Sequence, residues 1–572
     1  MQPPIPIRRS LITRKDLFRL HRWMGLHIGL LLFIVCFSGT CATLGHEWDD
    51  LLGGTPAGDP CSAIDWAAVE RGARALPGPV SHVMARDACG PVGALYHPES
   101  GQIHRAAIDR ATGEILDRGS ALTIQEFLRQ FHKALLLPEG VYLVTLTSLV
   151  LGYALVSGLL VYRRWWRHLR RLRWRRGRRV LWADAHRTLG VWTSLFALLM
   201  VVTGIWYLIE AGARDAVGFV AEPPVPRISR DRLAALPPQP ERLPLAQLVS
   251  AAERAIPDLD ARAVHFPVRV DDALQVDGQS GAWLVRDRAN RVYLDPYDGR
   301  VLGRKYVDEL TSLERWADTA DVLHFGTFAG LSGKIAWFVL GLLLSLVCLA
   351  GPVMWHLRKH HVDADRRRGR PRRARGFWPY VPVLALLLAS GVSAAHALRS
   401  PSLGGAPPIT RQSPPTSVGP WSVVAAFRGS ADRPRGTYQI LAAGPGDPIW
   451  KSASIELPGD ARPRPMRVSL RGVVLSAPAA ETLTLRLTDP AGTAHRAQLA
   501  LAPVTALAAS QTPAAVPTYV SAFALSFMLF QIVGAVAWAA ILRRRFAGAP
   551  ARTETPETAH AEHHPVAQRN TP

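Results

Sequence analysis

His21-Arg22-Trp23-Met24-Gly25-Leu26 and His186-Arg187-Thr188-Leu189-Gly190-Val191 open two apolar runs in the same way. Each run carries a glycine at the same distance from its histidine, Gly39 in the first and Gly204 in the second. Two further histidines, His132 and His324, each stand just before another apolar run. The pattern assigns one histidine to each of four apolar helices, in two copies. Ionisable side chains at membrane depth are costly and mark functional paths. Neutral imidazoles ligate haem iron axially, and six-coordinate iron has no open position for oxygen. Four histidines in two pairs therefore predict two haems stacked across a bilayer, a transmembrane electron conduit.

The chain of 572 residues is too long for one ordinary core, so several domains are expected. Six stretches are long enough to cross a hydrocarbon core of about 30 Å: 20–45, 141–162, 188–209, 334–355, 377–398 and 516–542. The net charge of +22 is segregated rather than spread. Ten arginines and no acid fall in 163–179, a second basic run occupies 358–375, and Arg543-Arg544-Arg545 follows the last stretch. These clusters, with Arg8, Arg9, Arg14 and Lys15, fall on one side of the membrane if both termini are cytoplasmic, as the positive-inside rule requires. The expected location is a bacterial inner membrane, with the large loops periplasmic. Stacking motifs and nucleic-acid-binding folds are absent, so the basic charge points to a lipid bilayer and not to nucleic acid.

The expected fold class is an α-helical integral membrane protein with six transmembrane helices. It comprises a duplicated unit of helix, exported α+β domain and helix, followed by an exported β-sandwich-like domain. The boundaries are 1–45 for the cytoplasmic N-terminus and first helix, and 46–140 for the first exported domain. Helices two and three with their basic loop fill 141–210, and the second exported domain fills 211–333. Helices four and five fill 334–398, the β-rich domain 399–515, and the last helix with a polar tail 516–572. The duplication shows again in Ile108–Leu116 and Tyr293–Leu302, where apolar and polar residues alternate around a Gly-containing turn, as in a hairpin. Within 399–515, strand-like runs occur at 421–427, 466–475 and 482–487. His560, His563 and His564 fall in a tail read as solvated and disordered.

Cys36, Cys41 and Cys348 read as small buried apolar residues. Cys61 and Cys89 share the first exported loop, where an oxidising compartment permits a disulfide. No CxxCH occurs, so covalent c-type haem attachment is not indicated.

His132 and His324 stand at the exported edge, His21 and His186 at the cytoplasmic edge. The pairing expected is His132 with His324 and His21 with His186, one residue of each pair from each repeat. Arg22 and Arg187 follow two of these histidines and are candidates for haem propionates, or for interfacial anchors. His27 is the alternative ligand on the first helix, or the ligand of a third haem. Its counterpart in the other repeat is Trp192. His356 is a second alternative. The histidines could otherwise only cap or anchor helices. Trp316, Phe325 and Phe328 are candidate acceptor contacts.

Leu20-His21-Arg22-Trp23-Met24-Gly25-Leu26-His27 with Ser38-Gly39 resembles the opening of the PepSY-associated transmembrane-helix family, often called iron-regulated membrane proteins. Asp184-Ala185-His186-Arg187-Thr188-Leu189-Gly190 and Leu323-His324-Phe325-Gly326, followed by Gly333, Lys334 and Trp337, resemble it too, as do the Asp109–Gly113 and Asp295–Gly299 turns. The resemblance covers roughly residues 10 to 360. It implies exported PepSY-like domains and a haem b membrane reductase, similar to ferric-siderophore reductases that release iron as Fe(II). The acceptor implied is a ferric siderophore or other ferric chelate. A fused flavin module, present in some members, is missing from this sequence, so the donor expected is a separate cytoplasmic flavoprotein or a membrane quinol. The competing function is a non-enzymatic, membrane-tethered PepSY module that binds or regulates peptidases. A transporter ranks last, because the first four helices carry few acidic residues at depth.

Overall fold

The computed structural model describes most of residues 13–399 and 516–543. The breaks fall at 55–60, 78–79, 86–88, 97–102, 163–164, 166–171, 220–224, 230–231, 233–240, 268–271 and 366–380. Within 400–515 it describes the strands given below and short pieces beside them.

The first apolar stretch is not one helix. Helix α1 (Arg14–His27) starts at a capping box in which Thr13 and Asp16 satisfy each other's backbone amides. It ends at Ile28, and α2 (Gly29–Thr43) leaves at 63° to it. Helix α3 (Gly45–Gly53) follows. Then come α4 (Trp66–Arg74), strands β1 (Val80–Ala85), β2 (Val92–Tyr96), β3 (His104–Ile108) and β4 (Ile115–Ser120), and α5 (Ile124–Ala134). Asp49 of α3 accepts from the Ile124 and Gln125 amides, fixing the start of α5. Helix α6 (Gly140–Val161) is apolar all round.

The second half repeats the order. Helix α7 (Arg178–Trp192) breaks at Thr193 before α8 (Ser194–Val217). Helix α9 (Leu245–Ala255) and strands β5 (Asp260–His265), β6 (Leu274–Gln279), β7 (Asn290–Leu294) and β8 (Val301–Lys305) follow. Helices α10 (Ser312–Phe325) and α11 (Gly330–Asp365) complete it. The expected span 188–209 is thus shifted: His186 rides on a separate helix, and the apolar helix is Ser194–Val217.

Among the described residues four helices are long and apolar enough to cross a membrane: Gly140–Val161, Ser194–Val217, Thr327–Met354 and Thr518–Ala537. The bent α1–α2 pair makes a fifth if it is one span. The expected span 377–398 corresponds to α12 (Val381–Arg399), whose apolar part, Pro382–Leu398, falls short of the about 20 residues a span needs. The expected count of six therefore becomes four, or five.

The two sheet-forming segments join. β1 to β8 make one antiparallel sheet in the order β4-β3-β2-β1-β5-β6-β7-β8, sealed in the middle by Val83 opposite Val264. One face is apolar: Val83, Val92, Ile108, Val264, Leu274, Val292 and Leu294 pack under Trp66 and Val69 of α4 and Leu245, Leu248 and Val249 of α9. Side chains alternate along a strand, so Met84, Asp277 and Arg291 occupy the other face. They lie in one row through the pairs Met84–Ala263, Ala263–Asp277 and Asp277–Arg291. That face looks toward the helices, because Lys305 of β8 donates to Asp318 of α10 at 2.9 Å. The two hairpin turns are as expected. Asp109 and Asp295 are buried and accept turn amides, and Gly113 and Gly299 supply the positive φ.

Cys61 and Cys89 are joined in a disulfide, and Arg110 straddles it, donating to the Ser62 and Gly90 carbonyls. The β-rich region contributes two antiparallel sheets. One contains β9 (Ile409–Gln412), β10 (Thr416–Val418), β11 (Trp421–Gly429), β12 (Gly436–Ala443) and β13 (Ile455–Leu457). The other has β14 (Met466–Arg467), β15 (Val474–Ala479), β16 (Thr482–Thr488) and β17 (Ala494–Ala500). β18 (Ala502–Pro503) closes the first sheet against β9. The expected single strand 466–475 is instead a pair, with Met466 opposite Leu475. Helix α13 (Thr518–Arg543) then packs against α12 and α5. The tail histidines His560, His563 and His564 lie outside the described residues.

Candidate functional site

The structure brings the four histidines together in two pairs. His132 and His324 have ring centres 6.2 Å apart, at the sheet end of the helical bundle. His21 and His186 have ring centres 6.4 Å apart, at the other end. Each pair joins one residue from each half of the chain. The levels are set by α6. Ser148 lies against Gly204, beside the His324 partner Thr203, while Ser157 touches His21. Ser148 to Ser157 is roughly 13 Å along the axis at 1.5 Å per residue.

Each ring is held at Nδ1 by its own half. His132 Nδ1 donates to the Val35 carbonyl at 3.1 Å, with Ser38 Oγ at 3.3 Å. His186 Nδ1 donates to the Val347 carbonyl at 3.0 Å. His324 Nδ1 lies 2.8 Å from Thr203 Oγ1, and His21 Nδ1 lies 2.9 Å from Ser157 Oγ. Those two hydroxyls give their protons to the Leu199 and Tyr153 carbonyls, so they accept from the rings. All four Nδ1 atoms therefore carry the proton, and all four Nε2 atoms keep the lone pair. That is the tautomer a metal-ligating histidine takes when its other nitrogen is oriented by an acceptor. Burial pushes the His132 ring down to about 4 and the His324 ring down to about 3, so both are neutral at pH 7.

The spacing tests the fit to a bis-imidazole metal. A metal–imidazole bond of about 2 Å on each side, with a ring radius of about 1 Å, puts two ring centres roughly 6 Å apart. Both pairs match. Among the described residues no group of three or more His, Cys, Asp or Glu side chains could hold a metal. Two imidazoles at this spacing fit a metal whose remaining donors come from a macrocycle. A cavity of about 500 Å³ surrounds the His21–His186 end. Leu26, Leu151, Leu155 and Leu344 line it, with Gly25, Gly158 and Gly190 leaving room and Arg22 and Arg187 among its polar residues. Its size and apolar lining are those of a cofactor pocket. Arg187 also lies 3.6 Å from Asp184 and over the Tyr162 ring.

The alternatives fall elsewhere. His27 closes α1 at the bend, its ring 5.0 Å from Trp23, and it is His21 whose ring meets His186. The His356 side chain lies outside the described residues. Phe325 is half exposed beside His324, whereas Trp316 packs on Trp206 and Phe328 on Trp337. Gly39 makes room for the His132 ring, because a Cβ there would lie 2.6 Å from His132 Cε1. The orienting hydroxyls were not singled out from the sequence. Their signal is present, because Ser38 and Thr203 each precede the matched glycine of their repeat.

Residues 18–358 match the family model described as the PepSY-associated TM region. An uncharacterized protein of Pseudomonas aeruginosa is 26% identical over 287 residues, covering 47% of this chain and 73% of that protein.

Proposed function

The chain belongs to the PepSY-associated TM region family, and from that premise we propose that it is a haem b membrane oxidoreductase. It passes electrons across the bacterial inner membrane to a periplasmic acceptor, a ferric siderophore or other ferric chelate whose iron is reduced to Fe(II). The observation that carries this reading is the double pairing. Four Nδ1-protonated histidines stand in two pairs at 6.2 and 6.4 Å, one above the other in an apolar bundle. A haem held by two imidazoles supplies one-electron exchange with no open position for oxygen. His132 and His324 would hold one, and His21 and His186 the other. Val35, Thr203, Ser157 and Val347 fix the rings, and Arg22 and Arg187 supply cations for propionates.

In this orientation the His21–His186 end faces the cytoplasm, where the arginine-rich 163–179 loop meets an acidic flavoprotein or the membrane surface meets a quinol. The sheet and the His132–His324 end face the periplasm, with both PepSY-like domains fused into the one sheet. Helix α12, shorter than the others, would complete a six-span topology.

A pyridine haemochrome count on the purified full-length chain tests the reading. Two b-type haems per chain, falling to about one in His324→Ala and to about one in His186→Ala, are expected. A stable haem-free wild type would overturn it and transfer the weight to a binding or peptidase-regulating module.

A further inference from the structure

Above the His132–His324 pair the structure assembles a cluster of arginines that the electron path itself does not use. Arg129 lies one turn before His132 on α5, and Asp321 one turn before His324 on α10. Arg286, from the β6–β7 connection, reaches down to Asp318 and to Asp321 at 3.4 Å. Tyr207 donates to the same Asp321 at 2.7 Å, and its ring lies 5.2 Å from the His324 ring. Arg291 projects from the polar face of the sheet, 3.7 Å from Asp277. Arg288 stands among them, solvent-exposed, donating to Met84 Sδ at 3.2 Å across the β1–β5 seam. No carboxylate of the described residues pairs with Arg288 within 4 Å. Arg129 pairs with Glu126, Arg286 with Asp318 and Asp321, and Arg291 with Asp277, so Arg288 is the guanidinium of the group that favours an added anion.

We propose that Arg288, flanked by Arg129 and Arg291, recognises the anionic oxygens of the acceptor and seats a negatively charged ferric chelate over the His132–His324 pair. The inference rests on the proposed function and narrows its substrate class to carboxylate-bearing or otherwise anionic chelates. A guanidinium grips a carboxylate through two parallel hydrogen bonds. The β6–β7 connection carries that grip beside α10, where Arg286 reaches Asp318 and Asp321. A carboxylate could also come from a haem propionate, and the test separates the two sources.

The test uses full-length protein in detergent and gallium(III) citrate, a redox-inert anionic analogue of ferric citrate, in a calorimetric titration. Wild type should bind it, and Arg288→Ala should weaken binding about tenfold or more. Arg288→Lys, a single point charge, should fall between. Arg129→Ala, a second variant on another element, should weaken binding in the same direction. A cationic gallium–hydroxamate complex should show no such loss. Haem per chain, counted on every sample, should be unchanged. Equal gallium citrate affinity in wild type and Arg288→Ala, or no binding to wild type, would overturn the proposal. So would loss of haem in Arg288→Ala, because the cluster would then hold propionates. Gallium binding needs no electron, so failure of the haem reading shows separately, as a haem-free wild type.

Discussion

Gly39→Ala is the sharpest test of the sheet-end site. The added methyl would lie 2.6 Å from His132 Cε1 and 3.0 Å from Nδ1. Carbon atoms in contact sit about 3.5–4.0 Å apart, so the ring must recede by about 1 Å. It is not free to do so, because Val35 and Ser38, which hold Nδ1, lie on the same stretch of α2 as Gly39. Receding breaks that hydrogen bond, worth about 0.5–1.5 kcal/mol, and staying costs about 1–3 kcal/mol of overpacking. A ligand must be held within about 0.5 Å of its working geometry, so either response disables the pair. Gly39→Ala should fold, keep the haem at the His21–His186 end, and lose the other, halving the haemochrome count. Gly212→Ala and Gly534→Ala are the controls. A Cβ at either position meets nothing within 4 Å, and neither glycine lines the cavity. A Gly39→Ala protein with the wild-type haem count and an unshifted α-band would refute this account of the site.

Three more expectations follow from the same geometry. His132 and His324 hold their pKa at about 4 and about 3 in the fold, below the ordinary 6.5. The unfolded chain then takes up protons first, so their contribution to stability is complete above about pH 6.5 and is lost as the pH falls toward 4. Haem-free protein should melt progressively lower from pH 7 to pH 5, and the His132→Ala/His324→Ala double variant should show a flatter profile; equal slopes would contradict the burial argument. The Cys61–Cys89 disulfide closes a loop with a separation of 28 residues. Replacing both cysteines with serine should cost about 3–4 kcal/mol, read as a lower melting temperature with unchanged haem content. Thr203→Val removes the acceptor for His324 Nδ1. It should broaden or shift the reduced α-band of the sheet-end haem while Leu199→Ala, one turn away, does not; identical spectra would show that the hydroxyl does not orient the ring.

The histidine pairs were legible because the duplication is written in the chain. His21 and His186 share their flanks and the distance to Gly39 and Gly204, and a two-fold relation pairs equivalent residues. The orienting atoms were less legible. Two of them, on Val35 and Val347, are backbone carbonyls, which no side-chain pattern can mark. The arginine cluster was invisible. Arg129, Arg288 and Arg291 look like ordinary surface charges until the sheet folds over α5 and α10.

Local composition and spacing were enough to specify the apolar runs, the repeated histidine–glycine frame and the Asp109–Gly113 and Asp295–Gly299 turns, and the resemblance of those motifs pointed to the family. Packing was needed to place the breaks in the apolar runs, at Ile28 and at Thr193, because a bend is set by what the helix lies against. Packing also joined two separate segments into one sheet through Val83 and Val264. Edge pairing draws on backbone groups common to every residue, so no period in the sequence announces it. The same pairing settles which face of that sheet turns its charges toward His132 and His324.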